Sequence, residues 1–574
     1  MNAADLDTHV LLRAFTDELV RSGVRHACTS PGSRSTPLVL ALVRDGRLQT
    51  HSHIDERAAA FFALGLAKAT GEPVAIACTS GTAAANFLPA VVEAHEAGIP
   101  LLVLTADRPP ELREVGAGQA IDQLKLYGSA VRWFFDVGTH DASAEPWMRA
   151  LACRAVHATL GADGRPGPVH LNFPLREPLV APTELPAGLG GRADGEPWLL
   201  RRDSPAVPGE EQLARYAGWI AANPRGVVVA GRAEREQPAL GEALARFATA
   251  AGWPLLADPL SWARRGAAAV AHYDALLRCE PFAAAQRPSG VLRAGDLPTS
   301  KPLRAWLAAL DAEQVAFDPE GVWHDPDATL WTVLGADPAG TLDALAERVQ
   351  PGDPSWLETW TQADAAAAAA IDEELAEHLG EPRVARELGA LLPGAATLFV
   401  ASSMPVRDVE TFFAARADPP RVLAHRGANG IDGTVSAAFG AAAAGGGPVA
   451  LLIGDVALAH DLGGLLAATR LGLVLTIVLI DNAGGGIFDF LPVAAAADAF
   501  EEHVATPTGL DARRIAELFE LGYVAPENPA EFADAVSAAL IAPRTSLIHV
   551  RSDRKANVAE HRAVWDRVAR IYVQ

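Results

Sequence analysis

Short apolar runs alternate with longer amphipathic stretches along most of the chain. The runs at 73–78 and 99–105 predict two buried strands, and the residues between them predict a helix from Thr82 to about Ala97. This strand–helix–strand order is typical of a parallel sheet covered by helices. The pattern therefore predicts an α/β protein built from doubly wound parallel sheets.

The alternation is interrupted once and then returns in two further regions. A Pro/Gly-rich stretch at 178–208 is the best linker candidate. Beyond it, the pattern predicts a strand at 227–230, a helix at 240–251 and an alanine-rich helix around 363–376, and then strands at 397–401, 449–453 and 473–480. A length of 574 residues suits three or four domains at about 150 residues each. We expect three domains, at 1–182, 205–352 and 381–574.

Composition narrows the class of function. Half of the residues are hydrophobic, which excludes global disorder. The net charge of −22 argues against general binding to nucleic acid or anionic membranes. The four cysteines are scattered without a zinc-ligand spacing and indicate reduced thiols. The uncharged stretch 437–454 contains Pro448 and is interpreted as a helix, a turn and a strand rather than a membrane span. The N-terminus has no signal-like apolar segment, so a cytoplasmic protein is expected.

Polar side chains follow two neighbouring predicted strands. Asp455 ends the run 449–453 after one glycine, and Asn482 ends the run 473–480 after one aspartate, 27 residues further on. Parallel strands open at the same sheet edge, so these side chains are expected to meet there. Carboxylate and amide oxygens suit Mg²⁺, and the glycines at 484–486 allow close approach of a diphosphate. A helix is expected to begin near Asp461 and to add N–H donors.

Each of these residues has an ordinary structural alternative. Aspartate and asparagine are common as caps and turn residues at strand ends. A nicotinamide-type site is a rival, but no strand is followed directly by G-x-G-x-x-G, since Gly231 precedes Arg232, Ala233 and Glu234.

The Gly-Asp and Asn pair resembles the diphosphate-binding motif of thiamine-diphosphate enzymes. By that resemblance, Asp455, Asn482 and the Gly484 carbonyl bind Mg²⁺ or Mn²⁺, while Val456, Ala457 and Ser403 contact the cofactor. Such enzymes need a glutamate against the aminopyrimidine ring, and Glu56, which precedes an apolar helix, fits that role. Taken alone, a glutamate at this position is more often an N-terminal helix charge favoured by the dipole.

Further motifs narrow the resemblance to one family. They are SPGSRSTP at 30–37, TADRPPEL at 105–112, GAGQA at 116–120, SMPVR at 403–407, RGANGIDG at 426–433 and GGIF at 485–488. Together they resemble the 2-succinyl-5-enolpyruvyl-6-hydroxy-3-cyclohexene-1-carboxylate synthases of menaquinone biosynthesis, across almost the whole chain. The resemblance implies decarboxylation of 2-oxoglutarate and addition of the succinyl-semialdehyde carbanion to isochorismate.

The resemblance also assigns the remaining site residues. Gln119 is implied as a second catalytic residue, Ile431 would support the bent cofactor, and Ile487 and Phe488 would line the reacting cavity. Residues implied for the two dicarboxylate substrates are Ser33, Arg34, Arg108, Gln119, Lys301, Arg407, Arg426, Ile487 and Phe488. The three domains would then be a pyrimidine-binding, a central α/β and a diphosphate/metal-binding domain, and the assembly a homodimer or a dimer of dimers.

The chain departs from the family pattern at a few positions, and two rival functions remain. Val456 and Ala457 replace small or hydroxyl residues after Asp455, Asp481 replaces the first asparagine of an Asn-Asn pair, and Gly118 and Gly463 stand where relatives often have asparagine. An acetolactate-synthase-like carboligase is the rival within the class. A non-catalytic cofactor-binding protein is the rival outside it.

Overall fold

The computed structural model describes residues 6–162, 164–180, 182–204, 206–235 and 237–572. Three sheets of six strands each are entirely parallel and carry helices between their strands, which confirms the predicted fold class. The chain divides into two compact units: unit 1 comprises 1–203, 425–445 and 460–473, and unit 2 comprises 204–424, 446–459 and 474–574.

The first sheet lies in unit 1 and has the order β2-β1-β3-β4-β6-β5. Its strands are β1 (His26–Thr29), β2 (Gln49–Ser52), β3 (Val74–Cys78), β4 (Leu101–Asp107), β5 (Trp133–Asp136) and β6 (Val169–Pro174). The helices of this region are α1 (Asp7–Arg21), α2 (Thr36–Arg44), α3 (Glu56–Thr70), α4 (Thr82–Asn86), α5 (Leu88–Ala97) and α6 (Glu145–Thr159).

The predicted helix from Thr82 to Ala97 is two helices, α4 and α5, which meet at Phe87. Pro89 lies in the first turn of α5 and has no N–H to donate to the preceding turn, so one helix cannot run through this point. The described residues of the stretch 178–208 contain no helix or strand, as the linker prediction requires.

The second sheet lies in unit 2 and has the order β12-β11-β10-β7-β8-β9. Its strands are β7 (Val227–Ala230), β8 (Leu255–Ala257), β9 (Ala269–Val270), β10 (Gly290–Ala294), β11 (Glu313–Phe317) and β12 (Leu330–Leu334). Its helices are α7 (Glu210–Ala222), α8 (Pro238–Ala251), α9 (Tyr273–Arg278), α10 (Glu280–Ala285), α11 (Lys301–Ala308), α12 (Pro338–Ala346) and α13 (Pro354–Glu374).

The third sheet, also in unit 2, has the order β14-β13-β15-β16-β18-β17. Its strands are β13 (Thr397–Val400), β14 (Arg421–Ala424), β15 (Val449–Gly454), β16 (Thr476–Asp481), β17 (Gly522–Val524) and β18 (Ser546–Arg551). The helices of this region are α14 (Glu381–Leu391), α15 (Met404–Phe412), α16 (Thr434–Ala443), α17 (Asp455–His460), α18 (Leu466–Arg470), α19 (Ala512–Leu518), α20 (Pro529–Leu540) and α21 (Arg554–Arg570).

Helices α16 and α18 belong to unit 1 although the third sheet belongs to unit 2. Within unit 1, α16 packs closely on α3: a Cβ added at Gly65 would lie 1.9 Å from the Ala437 carbonyl oxygen, and one at Gly440 would lie 2.0 Å from that of Phe62. The two helices approach this closely only because a glycine stands at each contact.

Two sequence-based expectations concern the region around the third sheet. A helical segment begins next to Asp461 as expected, as the 3₁₀ turn Leu462–Leu465 that leads into α18, but the separate helix α17, which begins at Asp455, was not predicted. The stretch 437–454 forms the end of α16, a turn and β15. No helix among the described residues combines the length and the apolar character needed to cross a membrane.

Candidate active site

The candidate metal site lies at the carboxyl ends of β15 and β16. These strands are parallel neighbours in which Gly454 pairs with Ile480, so Asp455 and Asn482 follow directly at the same sheet edge. Both side chains are buried, each 7% exposed. The sheet therefore brings together the two residues that the sequence predicted to meet.

Two oxygens at this edge have no partner. The Oδ2 atom of Asp455 and the Oδ1 atom of Asn482 are buried and accept no hydrogen bond. Burial, followed by the charge of Asp481, raises the pKa of Asp455 to about 6. Buried polar atoms are nearly always hydrogen-bonded, so this pair of bare oxygens is what a divalent cation would satisfy.

The neighbouring Asp481 is engaged elsewhere. Its Oδ2 atom lies 2.9 Å from Nε2 of His549, whose Nδ1 lies 2.9 Å from the Tyr523 hydroxyl. This contact with His549 lowers the pKa of Asp481. Asp481, which stands where relatives have asparagine, is thus occupied by His549. Asp455 and Asn482 each keep one side-chain oxygen without a protein partner.

The Nδ2 end of the Asn482 amide is closely surrounded. Its Nδ2 donates to Oε1 of Glu381 at 2.8 Å, and a Cβ at Gly486 would lie 2.7 Å from that nitrogen. Glu381 is the first residue of α14 and is 2% exposed. Burial, followed by the charge of Asp408, raises the pKa of Glu381.

Gly484 lies in the turn after β16. Its φ is +136°, and an added Cβ would lie 2.6 Å from the carbonyl oxygen of Ala505, so only glycine fits there. The backbone N–H of Gly484 offsets part of the rise in the pKa of Asp455. Ile487 and Phe488 follow in the 3₁₀ segment Gly486–Phe490 and are partly exposed.

Val456 and Ala457 form the first turn of α17 directly after Asp455. The backbone N–H of Val456 offsets part of the rise in the pKa of Asp455, and Ala457 is 5% exposed. Neither residue has a side-chain hydroxyl, so any contact of this turn with a diphosphate is made by the backbone alone.

Ser403 and Arg407 lie beyond the carboxyl end of β13, the other strand beside β15. The connection after β13 runs to β14 on one side and the connection after β15 runs to β16 on the other, so the crevice between β13 and β15 is the topological switch point of this sheet. Ser403 has a φ of +75° and precedes α15, and its carbonyl accepts a hydrogen bond from the Arg407 guanidinium. Burial lowers the pKa of Arg407, and the charge of Arg304 lowers it further.

Lys301 opens α11 and is exposed. The preceding residue, Ser300, donates to Asp274 at 2.7 Å, and Asp274 accepts from Thr411 on α15 at 3.1 Å. These contacts connect the start of α11 to the helix that carries Arg407.

In unit 1, Glu56 is the first residue of α3. Asp55 caps this helix by accepting from the Arg57 N–H at 2.8 Å, and Gly71 ends it with a φ of +70°. Glu56 is partly buried, and its charge adds to the effect of burial in raising the pKa of Cys78, at the end of β3. The carboxylate therefore faces the carboxyl end of the first sheet.

The other unit 1 candidates lie at that same sheet edge. Arg108 donates to the Ser80 hydroxyl at 3.2 Å and to the Gly118 carbonyl at 2.8 Å. Gln119, whose φ is +57°, donates to the Ser80 carbonyl at 2.9 Å, and the Ser80 hydroxyl donates to the Gln119 carbonyl at 2.9 Å. Ser80 thus holds Arg108 and Gln119 together.

Arg34 lies close enough to Arg108 for their charges to interact. Its Nη1 donates to the Leu175 carbonyl at 2.8 Å, its Nη2 lies 3.4 Å from Glu177, and its buried Nε has no partner. Burial, followed by the charge of Arg108, lowers the pKa of Arg34. Ser33 beside it is exposed. Two guanidinium groups of like charge favour a carboxylate ligand.

Arg426 and Ile431 lie on the loop that leads to α16, also in unit 1. Arg426 is 8% exposed and Ile431 is partly exposed. Glu93 holds this loop, because its carboxylate accepts from the N–H groups of Gly427 at 3.0 Å and Ala428 at 2.6 Å.

Sequence reasoning missed several residues that shape these sites, namely Ser80, Glu93, Arg304 and Glu381. Only Ser80 carried a local signal, since the run from Thr79 to Thr82 follows a predicted strand with small and hydroxyl residues. Among the described residues, no group of three or more His, Cys, Asp or Glu side chains is placed to hold a metal. A metal site at Asp455 would therefore need oxygen ligands other than carboxylates as well.

Family models match three segments of the chain. Residues 10–126 match the thiamine pyrophosphate enzyme N-terminal TPP-binding domain, 193–400 match the middle domain of thiamine pyrophosphate enzymes, and 406–550 match the C-terminal TPP-binding domain. Each of the three parallel sheets has strands within these segments, and β5 and β6 of the first sheet lie between the first two segments.

Curated relatives match over nearly their full length. The chain is 45% identical to the 2-succinyl-5-enolpyruvyl-6-hydroxy-3-cyclohexene-1-carboxylate synthase of Geobacillus kaustophilus over 570 residues, 98% of each chain. It is 43% identical to the synthase of the same name from Halobacterium salinarum, over 98% of each chain. With that of Chloroflexus aurantiacus the identity is 42%, over 98% of this chain and 96% of the relative. The chain belongs to the thiamine-diphosphate-dependent 2-succinyl-5-enolpyruvyl-6-hydroxy-3-cyclohexene-1-carboxylate synthase family.

Proposed function

We propose that this protein decarboxylates 2-oxoglutarate and adds the succinyl semialdehyde unit to isochorismate, giving 2-succinyl-5-enolpyruvyl-6-hydroxy-3-cyclohexene-1-carboxylate and CO₂ in menaquinone biosynthesis. The observation that carries the proposal is the pair of buried, unpartnered oxygens on Asp455 and Asn482 at one sheet edge. The pair lies within a chain that matches synthases of this name over 98% of its length.

The proposed metal ligands are Asp455, Asn482 and the Gly484 carbonyl, with Mg²⁺ or Mn²⁺ as the ion. The residues fit such an ion because oxygen donors suit both metals and because the two side-chain oxygens have no protein partner. Ionised Asp455 supplies the charge, and the glycine at 484 lets the backbone approach.

Thiamine diphosphate, when bound, supplies an electron sink that stabilises the carbanion left after CO₂ departs. The chain's own groups bind and orient it: the proposed contacts are Glu56, Ser403, Ile431, Val456, Ala457 and Ile487. Glu56 would hold a proton between its carboxyl group and the aminopyrimidine ring. Its position at the start of α3, facing the buried end of β3, supports this role.

Both proposed substrates are dicarboxylates, and arginine binds carboxylates through paired N–H donors. For isochorismate we propose Ser33, Arg34, Arg108, Gln119 and Lys301. For 2-oxoglutarate we propose Arg407 and Arg426, with Ile487 and Phe488 lining the cavity. The proximity of Arg34 and Arg108, and of Arg304 and Arg407, supports carboxylate binding, because an anion relieves the repulsion within each pair.

The assembly, the location and the domain bounds are parts of the same proposal. The three separate sheets support domains at 1–182, 205–352 and 381–574. Four buried cysteines without a disulfide support a reducing compartment such as the cytoplasm. We propose at least a homodimer in which subunits share active sites. Mixing Glu56→Gln with Asp455→Ala protein would then restore activity, whereas sites contained within one subunit would give none.

The reaction is tested by mass spectrometry of products from 2-oxoglutarate and isochorismate, with and without thiamine diphosphate and Mg²⁺. Appearance of the succinylated product only with the complete mixture is expected. Turnover of pyruvate but not 2-oxoglutarate would instead indicate an acetolactate-synthase-like enzyme. Cofactor binding without any decarboxylation would indicate a non-catalytic protein, and either result would overturn the proposal.

A further inference from the structure

The side chain of Asn482 has two chemically different ends, and only one of them suits a metal. Its Oδ1 atom is an acceptor with no partner, whereas its Nδ2 atom is a donor of two hydrogens. A rotation of 180° about the last side-chain bond exchanges the two ends at almost no change in shape. The metal site therefore needs a neighbour that distinguishes them.

Glu381 is that neighbour in the structure. Its Oε1 atom accepts from Nδ2 of Asn482 at 2.8 Å, although the two residues are 101 positions apart. In the opposite orientation, Oδ1 would face this carboxyl oxygen as a second acceptor, and the NH₂ group would point toward the cation. That orientation would give up the hydrogen bond from Nδ2 and place the NH₂ hydrogens against the cation, so Glu381 favours the orientation that turns Oδ1 outward.

Glu381 is itself held in place. It opens α14 and is 2% exposed, and the Ser552 side chain lies close enough to offset part of the rise in its pKa. Asp408 faces it and is paired with His561 at 2.9 Å. Gly486 leaves room for Nδ2, since a Cβ at that position would lie 2.7 Å from it. The Nδ2 end of the amide is thus fixed by an acceptor and by close backbone.

We propose that Glu381 is a positioning residue, which orients the Asn482 amide so that its Oδ1 atom is presented to the divalent cation. This inference rests on the proposed metal site at Asp455 and Asn482. It assigns to Glu381 no contact with substrate and no proton transfer. Neighbours that orient metal ligands typically change metal affinity by about 10–100-fold when they are removed.

The first test compares Glu381→Leu, Glu381→Gln and the control Glu387→Leu, which removes a partly exposed glutamate paired with Arg383 on the same helix. Free Mn²⁺ is measured by electron paramagnetic resonance in the presence of thiamine diphosphate. We expect Glu381→Leu to weaken Mn²⁺ binding by about tenfold or more. Glu381→Gln keeps an acceptor oxygen and should bind nearly normally, as should Glu387→Leu. At saturating Mn²⁺ and cofactor, kcat of Glu381→Leu should largely recover.

Normal Mn²⁺ affinity of a folded Glu381→Leu protein would overturn the inference. If that variant fails to fold, Asn482→Asp supplies the second test, because it replaces the donor by an acceptor. Glu381→Gln should then improve Mn²⁺ affinity in the Asn482→Asp background, since glutamine can donate, while changing it little in the native background. An equal effect in both backgrounds would show that the two residues are not coupled.

The outcome for Asp455→Ala separates the two hypotheses. If Asp455→Ala abolishes Mn²⁺ binding while Glu381→Leu does not change it, the metal site stands and the role of Glu381 fails. If Asp455→Ala binds Mn²⁺ and thiamine diphosphate normally, the proposed metal site itself fails.

Discussion

The ammonium group of Lys68 lies 3.4 Å from Oε1 of Glu93, and neither side chain is more than 4% exposed. Glu93 also accepts from the N–H groups of Gly427 and Ala428, and Nδ1 of His425 lies 3.7 Å from it. Burial opposes the charge, but the attraction of Lys68 and these hydrogen bonds hold the pKa of Glu93 below its ordinary value. A charge pair inside unit 1 thus fixes the loop that carries Arg426 and Ile431.

Lys68→Met is expected to destabilise the protein by about 3–5 kcal/mol, because it leaves the buried Glu93 without its counter-charge. Thermal unfolding followed by circular dichroism should show the midpoint temperature of the first unfolding transition lowered by roughly 10 °C. Lys555→Met removes an exposed lysine and should leave the transition unchanged. Equal behaviour of the two variants would contradict a structural role for the pair.

The same carboxylate predicts a pH dependence of stability. Because the folded state depresses the pKa of Glu93, its contribution is complete above the ordinary value of 4.5 and is lost as the pH falls through the lower folded value. The stability difference between the native protein and Glu93→Gln should therefore be constant from pH 6 to 8 and shrink toward pH 3. Denaturant titrations at several pH values measure it, and a difference that grows on acidification would refute the assignment.

Gly65→Ala tests the contact between α3 and α16. The added methyl group would meet the Ala437 carbonyl, a backbone atom that cannot move aside without displacing the helix. We expect a loss of at least about 1–3 kcal/mol, despite the better helix propensity of alanine. Gly218→Ala in α7 has open space and should be neutral or stabilising. Thermal unfolding of both variants measures the two changes in stability. An increase in stability for Gly65→Ala would show that the helices do not pack this closely.

Glu56→Gln should retain thiamine diphosphate binding and lose turnover by about 10²–10⁴-fold, because the amide cannot share the proton. Calorimetry measures binding and steady-state kinetics measure turnover. Asp55→Asn, which preserves the helix cap with an amide oxygen, is the matched control and should keep most activity. Near-normal turnover of Glu56→Gln would remove this residue from the catalytic set.

Asp455→Ala should abolish Mg²⁺-dependent thiamine diphosphate binding, since it removes the only carboxylate of the proposed ligand set. The exposed Asp534→Ala on α20 provides a control of equal charge change. Calorimetric titrations with and without Mg²⁺ compare the two proteins. Unchanged cofactor affinity in Asp455→Ala would mean that the metal binds elsewhere.

Much of the third sheet could be predicted from the sequence. Strands buried on both faces appear as continuous apolar runs, and the predicted 449–453 and 473–480 correspond to β15 and β16 within a few residues. Parallel connections bring their carboxyl ends to one edge, so the proximity of Asp455 and Asn482 followed from the order of elements alone. The start of α17 did not follow, because Asp455 itself opens that helix, and no local signal marked it.

Tertiary structure alone decided which distant groups support these residues. Glu381 reaches Asn482 from 101 positions away, and Glu93 reaches Gly427 from 334 positions away. The pattern of apolar residues records which face of an element is buried, and it does not record which element covers that face. The strands and the motifs could therefore be predicted from the sequence. Packing of the helices alone creates three other features: the acceptor for Asn482, the charge pair that fixes the Arg426 loop, and the glycine contacts of α3 with α16.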